Sequence, residues 1–433
     1  MILTIIISIL TCLLLICSIL FFPKIKIKNF EFNSYWIVCL IGALAILICN
    51  CGSFKEAIDG LFADSSINPI KILLLFFSMT FLSIFLDEVG LFRYLAMFLL
   101  KHFRSSQRLL FITLYIMVGI LTIFTSNDIV ILTFTPFICY FCRNAKINPI
   151  PYLVAEFAAA NTYSMMLIIG NPTNIYLATS SNIDFIKYFN VMWLPTLCAG
   201  IIQLLLMLVV FKKSLKVNIF VDEDLVGFKS KLDLTFGISH LGICLLLLII
   251  SSYIELDMWL ICLVCALSLI GCIMISHLIR NKELNIILET FKRLPYNLIP
   301  FIISMFVLVL ALSKQGITDK ISSFLGEKDL ILKYGFSSFA TSNLINNIPM
   351  SVLFSNIINI SNTTLRYKAI YSTIIGSNLG AFLTPIGALA GIMFTDLVHK
   401  QNINFSFKTF IKYGVIISIP TLIVSLLVLG IVL

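Results

Sequence analysis

Apolar runs of about twenty residues recur along the whole sequence, and one helix of that length crosses the hydrocarbon of a bilayer. They read as 2–22, 35–52, 69–86, a longer segment 109–142, a segment 151–178, 190–211, 235–254, 258–278, 296–313, a segment 331–358, a segment 367–394, and 408–433. Hydrophobic residues make up 60% of the chain and charged residues 12%, whereas a soluble domain is roughly a quarter charged. In water such a chain would expose far too much apolar surface. The expected fold class is therefore an all-α polytopic membrane protein. The first run, Met1 to Phe22, lacks a basic leader and a small-residue cleavage site, so it is expected to be a retained span. The 12 cysteines are scattered within apolar runs and read as small hydrophobes. Cys139 and Cys142 form a C-x-x-C pair without a second pair, and Cys49 and Cys51 add no more, so no metal site is expected.

The net charge of +9 is carried by lysines and arginines in short loops, a pattern that sets topology and does not indicate a nucleic-acid partner. Lys24, Lys26 and Lys28 lie in the first loop. Lys101, Arg104 and Arg108 follow the third run, and Arg143 and Lys146 follow segment 109–142. Lys212, Lys213, Lys216, Lys229 and Lys231 lie in the central loop, and Arg280, Lys282, Lys292 and Arg293 follow the eighth run. The loop 53–68 carries Glu56, Asp59 and Asp64 against Lys55 alone, and reads as external. These loops agree only if segment 109–142 both starts and ends in the cytoplasm. A re-entrant hairpin does so, with "TSND" (Thr125 to Asp128) at its tip. Segment 331–358 has the same form around "TSNLINNIPM" (Thr341 to Met350) and would enter from outside, leaving Arg366 and Lys368 external. Irregular backbone at that depth is tolerated only when buried in protein or facing a wet cavity.

The two halves repeat. Ser78, Met79 and Gly90 match Ser304, Met305 and Gly316 at one offset. Thr125, Ser126 and Asn127 match Thr341, Ser342 and Asn343. "AANTYSMMLIIGNPTN" (Ala159 to Asn174) stands opposite "GSNLGAFLTPIG" (Gly376 to Gly387). The expected organisation is an N-terminal repeat 1–211, a cytoplasmic linker 212–234 and a C-terminal repeat 235–433. Each repeat would hold about five spans and one re-entrant hairpin. An odd number of crossings would invert the second repeat and put both termini outside. "GNPTN" and "TPIG" then read as unwound turns in two discontinuous helices. Pro172 and Pro385 would each remove a backbone donor. Gly170, Gly376, Gly380 and Gly387 would let backbones approach closely. Inverted repeats with broken helices at matching positions point to a secondary transporter with a midplane site.

At these residues the chain resembles the ion transporter superfamily of arsenite permeases (ArsB), NhaD-type sodium/proton antiporters and citrate-type anion permeases. Four stretches carry the resemblance, which is nearest to arsenite permeases. They are "SNDIVILTFTPFI" (Ser126 to Ile138), "NTYSMMLIIGNPTN" (Asn161 to Asn174), "SNLINNIPM" (Ser342 to Met350) and "GSNLGAFLTPIGALA" (Gly376 to Ala390). The resemblance implies a scaffold and a transport domain, the latter built from hairpins and broken helices, with elevator-like motion. It admits a homodimer and an ATPase subunit as partners. Where arsenite permeases usually have an acid in the last motif, this chain has Asn378. Coupling would then rest on Asp128 or another group.

Asn127, Asn161, Asn171, Asn174, Asn343, Asn346, Asn347 and Asn378, helped by Thr173 and Thr384, form the expected substrate-binding set. Amides both donate and accept, so they can hold a neutral trihydroxy solute or an oxyanion without fixed charge. Ser126, Asp128, Ser342 and Glu156 are the expected coupling-ion set, for H+ or Na+. An acid at bilayer depth costs a few kcal/mol and is functional or paired; a helix N-cap would also suit Asp128. Asp87 and Glu88 end the third span and read as snorkelling or paired to Arg93. The histidines His102, His240, His277 and His399 fall near loops or span ends and are assigned no chemistry.

There is no phosphate-binding Gly-Lys-Ser/Thr loop and no deep catalytic pair, so an enzyme is not expected, and neither is a cofactor. The resemblance implies export of arsenite or antimonite coupled to protons, through the plasma (inner) membrane. A sodium- or proton-coupled dicarboxylate or citrate-type permease, or a sodium/proton antiporter, stands as the alternative. The absence of a deep basic residue in the motifs favours a neutral solute over an anion. A channel or scaffold fits poorly, because an inverted repeat serves alternating access.

Overall fold

Helices build nearly all of the protein, because a backbone placed in lipid must satisfy its own hydrogen bonds. The computed structural model describes residues 2–22, 24–27, 30–62, 68–103, 106–216, 230–251 and 253–433. Lys28, Asp64, Arg104 and Lys229, with the rest of 217–229, lie outside the described residues. The first half comprises α1 (Ile2–Phe21), a short antiparallel hairpin of β1 (Lys24–Ile27) and β2 (Phe30–Asn33), α2 (Ser34–Ile48), α3 (Phe54–Phe62), α4 (Pro69–Val89), α5 (Leu91–Phe103), α6 (Gln107–Phe124), α7 (Asn127–Asn144), α8 (Ile150–Tyr163), α9 (Pro172–Thr179) and α10 (Phe185–Val210). The second half comprises α11 (Lys231–Ile250), α12 (Met258–Ile279), α13 (Asn285–Lys292), α14 (Leu298–Lys314), α15 (Ile317–Leu325), α16 (Leu330–Ile345), α17 (Asn347–Ile357), α18 (Thr363–Gly380), α19 (Leu389–Lys400) and α20 (Phe407–Val432).

Among the described residues, 7 helices are long and apolar enough to cross a membrane: α1, α4, α6, α10, α11, α12 and α20. The pair α14–α15, bent by 78°, adds one more. Large apolar side chains stay exposed on the outer helices, such as Ile201 and Leu205 on α10, Leu246 on α11 and Leu267 on α12. In a multi-pass membrane protein these faces meet lipid. By contrast α4 is mostly buried. The short helices α3, α5, α13 and α15 are additions to the sequence reading; each is too short or too charged to register as an apolar run.

The halves correspond element by element, each helix matching the one ten places later. Gly90 (φ 101°) follows α4 and Gly316 (φ 68°) follows α14, both in the left-handed region that only glycine adopts without cost. A proline sits inside both α10 and α20, at Pro195 and Pro420. Packing is exchanged between halves in the same way. Helix α2 packs on α14 and α12 on α4, α3 on α14 and α13 on α4, and α7 on α19 and α17 on α9, while α10 and α20 pack on each other.

Polar contacts sort the loops into two ends of the bundle. At one end Arg293 bridges Asp87 (2.7 Å) and Glu88 (2.6 Å), and Arg143 donates to the Gln401 carbonyl (2.6 Å). Arg293 therefore takes the place expected for Arg93, because the exchange of α13 onto α4 brings a distant loop to the end of α4. His277 and Asp233 are buried against each other at 3.2 Å, and the other ring nitrogen of His277 lies 2.8 Å from the Glu283 carbonyl. At the opposite end Lys314 pairs with Glu56, Lys71 with Asp257 (3.5 Å), and Gln315 donates to Thr4 (2.6 Å). The hydrogen bond from Lys314 holds the exposed Glu56 carboxyl below the usual carboxylate range.

Helices α6 and α7 form a hairpin. The start of α6 lies by the start of α8, where the rings of Phe111 and Tyr152 are 5.9 Å apart, and α8 follows directly on the end of α7. The second hairpin closes likewise, with Tyr334 near the start of α16 and Phe354 near the end of α17 at 6.3 Å. Small residues let the hairpin and the broken helix meet. A methyl group built on Gly376 would lie 2.1 Å from the Gly335 carbonyl oxygen and 2.1 Å from Ser338 Oγ, a seam typical of membrane helix contacts. Gly376→Ala is expected to cost about 1–3 kcal/mol through overpacking. Gly242→Ala on α11, where a methyl meets nothing within 4 Å, is expected to stay within about 0.5 kcal/mol. Thermal unfolding of both variants in detergent checks the contrast.

Candidate functional site

The two broken helices unwind through the same succession of backbone shapes. After α8, Leu167 is extended (φ −117°, ψ 151°), Ile168–Gly170 make one 3-10 turn, and Asn171 is extended again (φ −154°, ψ 139°) before α9 starts. After α18, Thr384 is extended (φ −138°, ψ 157°), Pro385–Gly387 make one 3-10 turn, and Ala388 is extended (φ −150°, ψ 158°) before α19. Each proline stands on the edge of its break, with the residue before it extended. Pro172 is the first residue of α9 and Pro385 the first of its 3-10 turn, and at such a position no amide donor is needed. Glycine does the tighter work. A methyl group on Gly170 would lie 2.2 Å from the Ser164 carbonyl oxygen, and one on Gly387 would lie 2.7 Å from the Gly380 carbonyl oxygen.

A hairpin tip meets each break within its own half. Between α6 and α7, Thr125 and Ser126 are non-helical. Ser126 holds the N-cap position, so Asp128 is not the cap and lies in the first turn of α7, where the helix dipole favours an anion. Asn127 Nδ2 donates to Asn161 Oδ1 (3.2 Å), and Asn161 Nδ2 donates to the Phe157 carbonyl (2.8 Å). At the second tip Asn346 has φ 72° and ψ 154°, a shape costing a non-glycine residue about 1–3 kcal/mol. Its Nδ2 donates to the Ile386 carbonyl at 2.9 Å, and its Oδ1 accepts from the Ile348 amide at 3.4 Å. Asn343 Nδ2 donates to the Phe339 (2.8 Å) and Gly380 (3.0 Å) carbonyls, and its Oδ1 accepts from Thr384 (2.7 Å). Ser342 Oγ donates to the Phe339 carbonyl (2.9 Å).

The two breaks are tied to each other through Asn378. Its Oδ1 accepts from Ser164 Oγ (3.0 Å) and Asn171 Nδ2 (3.1 Å), and its Nδ2 donates to Asn174 Oδ1 (2.7 Å) and the Ile374 carbonyl (2.8 Å). Asn171 Oδ1 accepts from the amide and hydroxyl of Thr173, and Asn174 Nδ2 donates to the Ser164 and Leu167 carbonyls. All five side chains are buried. An amide offers two donors and two acceptor sites, and Asn378 uses all four. In this conformation it is a cross-link between the halves, with no capacity left for a solute.

Open capacity lies instead at the hairpin tips and beside them. Ser126 Oγ, Asn127 Oδ1, Asn347 Oδ1, Ser377 Oγ and Glu156 Oε2 are buried and make no hydrogen bond among the described residues. Glu156, on α8, accepts from Thr135 Oγ1 of α7 (2.8 Å). Ser126 and Asp128 also line a cavity of about 410 Å³. The structure thus brings the asparagines of both halves together at the breaks, and sets Asp128 apart on a cavity wall. Sequence reasoning missed Ser164, Thr135, and two cavity residues on α19, Asp396 and His399. A serine after the "NT" pair was the one signal available for Ser164.

The profile of a family described as citrate transporter matches residues 27–372. An arsenical pump membrane protein of Escherichia coli is 26% identical over 371 residues, covering 82% of this chain and 85% of that protein. A putative arsenical pump membrane protein of Bacillus subtilis (strain 168) is 22% identical, covering 87% and 89%. A 46 kDa membrane protein of Mycobacterium leprae (strain TN) is 22% identical, covering 81% and 83%. In fold the chain is similar to the YdaH transporter of Alcanivorax borkumensis, with a TM-score of 0.54, 15% identity, and coverage of 99% of this chain and 97% of that one.

Removing the cross-link tests its weight. Asn378→Ala strands Asn171 Nδ2 and Asn174 Oδ1, each at about 1–3 kcal/mol, while Ser164 keeps its bond to the Asn161 carbonyl (2.9 Å). A clear drop in the thermal midpoint is expected. Asn356→Ala, which loses bonds only to its own helix, is expected to fall by much less.

Proposed function

The chain belongs to the citrate transporter family, and from that premise we propose that it is a secondary active transporter that exports arsenite or antimonite in exchange for protons. One observation carries the reading: two helix breaks, one from each half, meet at a buried amide cross-link with a hairpin tip against each. Elements so paired can exchange roles between two arrangements, which is what alternating access requires. The repeats then stand inverted across the bilayer. The end holding Arg143 and Arg293 faces the cytoplasm by its basic loops, and both termini lie outside.

The polar groups at the breaks are amides and hydroxyls, with no basic side chain bonded to them among the described residues. This supports a small neutral polyhydroxy solute, and arsenite is uncharged near neutral pH. The likeness to arsenical pump membrane proteins supports the same substrate. Helices α7, α9, α17 and α19 all begin at the breaks or tips, and their positive dipole ends would suit an anion. That observation keeps a sodium- or proton-coupled anion permease as the second reading. Asp128 and Glu156, the acids nearest the breaks, are the proposed proton carriers. A second copy of this chain and an ATPase subunit are the proposed protein partners.

Everted membrane vesicles carrying the protein test this directly. Energised vesicles are expected to accumulate arsenite, and Asp128→Asn is expected to lower the rate on the order of a hundredfold, the weight of a lost proton-transfer group. No arsenite uptake, with sodium-driven uptake of a dicarboxylate in right-side-out vesicles, would replace the first reading by the second.

A further inference from the structure

The cavity that reaches Asp128 belongs to both halves. Its floor is Ser126 and Asp128 at the start of α7, and its mouth holds Arg293, Asp396 and His399. Leu389, Ile392, Met393 and Asp396 stand on one face of α19 at helical spacing and form one wall. Tyr35 of α2 faces them. His399 is exposed and Asp396 half-buried, so the cavity runs from the surface inward to an acid in the first turn of a helix.

A related cavity of about 540 Å³ lies at the opposite end, walled by the corresponding elements: α9 in place of α19, the start of α4 in place of α14, and the start of α12 in place of α2. Its lining carries Lys71, Asp184, Glu255 and Asp257 but no residue of α16 or α17, so it stops short of the second hairpin tip. Among the described residues, the first hairpin tip is thus reached by a cavity from the end where Arg143 and Arg293 lie.

We propose that this cavity is the path by which protons pass between the cytoplasm and Asp128, with Asp396 and His399 as the relay at its mouth. The proposal rests on the proton-coupled reading above. Each transfer moves one proton from a protonated donor to the next base, through the acid or imidazole or through water between them. Among the described lining residues Arg293 is the other charged group, and Lys400 and Arg143 lie near the mouth. Arg293 is held by Asp87 and Glu88, Lys400 pairs with Asp396 at 3.0 Å, and Arg143 on α7 bonds the Gln401 carbonyl. Tyr35 is the remaining titratable group on the wall.

Arsenite uptake by everted vesicles is measured from about pH 5 to 8 for wild type, Asp396→Asn, Asp396→Glu and His399→Gln. Asp396→Asn is expected to lower the rate on the order of tenfold or more with KM for arsenite little changed, and Asp396→Glu to restore it. His399→Gln is expected to move the pH profile. An unchanged profile for His399→Gln, with Asp396→Glu no better than Asp396→Asn, would overturn the relay. A second measurement does not depend on the solute. Ser126→Cys is treated with a membrane-impermeant thiosulfonate in everted and in right-side-out vesicles, and labelling at position 126 is read by peptide mass. Labelling from the cytoplasmic face only supports the path, and labelling from the external face or from neither overturns it. If the thiol is labelled from the cytoplasm while no vesicle transports arsenite, the path stands as a water-filled route and the arsenite reading fails alone.

Discussion

Backbone that leaves a helix deep inside a membrane protein has no water to turn to, so its partners must come from the protein itself. Here that requirement is met largely by asparagine side chains. Asn174 takes up the Ser164 and Leu167 carbonyls of the first break, Asn343 takes up the Gly380 carbonyl and Asn346 the Ile386 carbonyl of the second, and Asn378 joins the two breaks. Without these bonds the unwound stretches between α8 and α9 and between α18 and α19 would be expensive to bury. The meeting of the two halves, and with it the site, depends on them.

The halves repeat in backbone more closely than in side chains. Asn161 and Asn378 occupy matching positions, yet Asn161 bonds its own hairpin tip while Asn378 crosses to the other break. At the position matching Glu156 stands Thr373, whose hydroxyl simply bonds the Ala369 carbonyl of its own helix. Acidic chemistry is thus confined to the first half near the tips, in Asp128 and Glu156, while the second half supplies the strained Asn346 and the cross-link. At the tips the two halves thus differ, the first holding the acids and the second the left-handed Asn346.

Much of the architecture was legible from the sequence. The apolar runs coincide with the long helices to within a few residues, and both over-long segments are hairpins with "TSN" at or near the bend. Gly90 and Gly316, matched on sequence, take the left-handed conformation at matching junctions, between α4 and α5 and between α14 and α15. The site was legible as a set of residue types and not as a set of contacts. Which asparagine is saturated and which keeps an open valence depends on distances between elements some two hundred residues apart, and no local pattern encodes those. Pro172 shows the same limit, since a proline that starts a helix and one that breaks it look alike in a string of letters.

The sequence by itself determined that this chain crosses a membrane and that polar residues interrupt its apolar runs at corresponding places in the two halves. Periodicity, hydropathy and backbone chemistry are local properties, and they are written residue by residue. Only the tertiary structure decided that Arg293 and not Arg93 neutralises Asp87 and Glu88, that Asn378 ties the two breaks together, and that α19 carries Asp396 and His399 to the cavity that ends at Asp128. The physical reason is the exchange of packing between the halves, which places α13 on α4 and α19 on α7. Such contacts arise from how whole helices fill space against one another, and are set when the bundle closes.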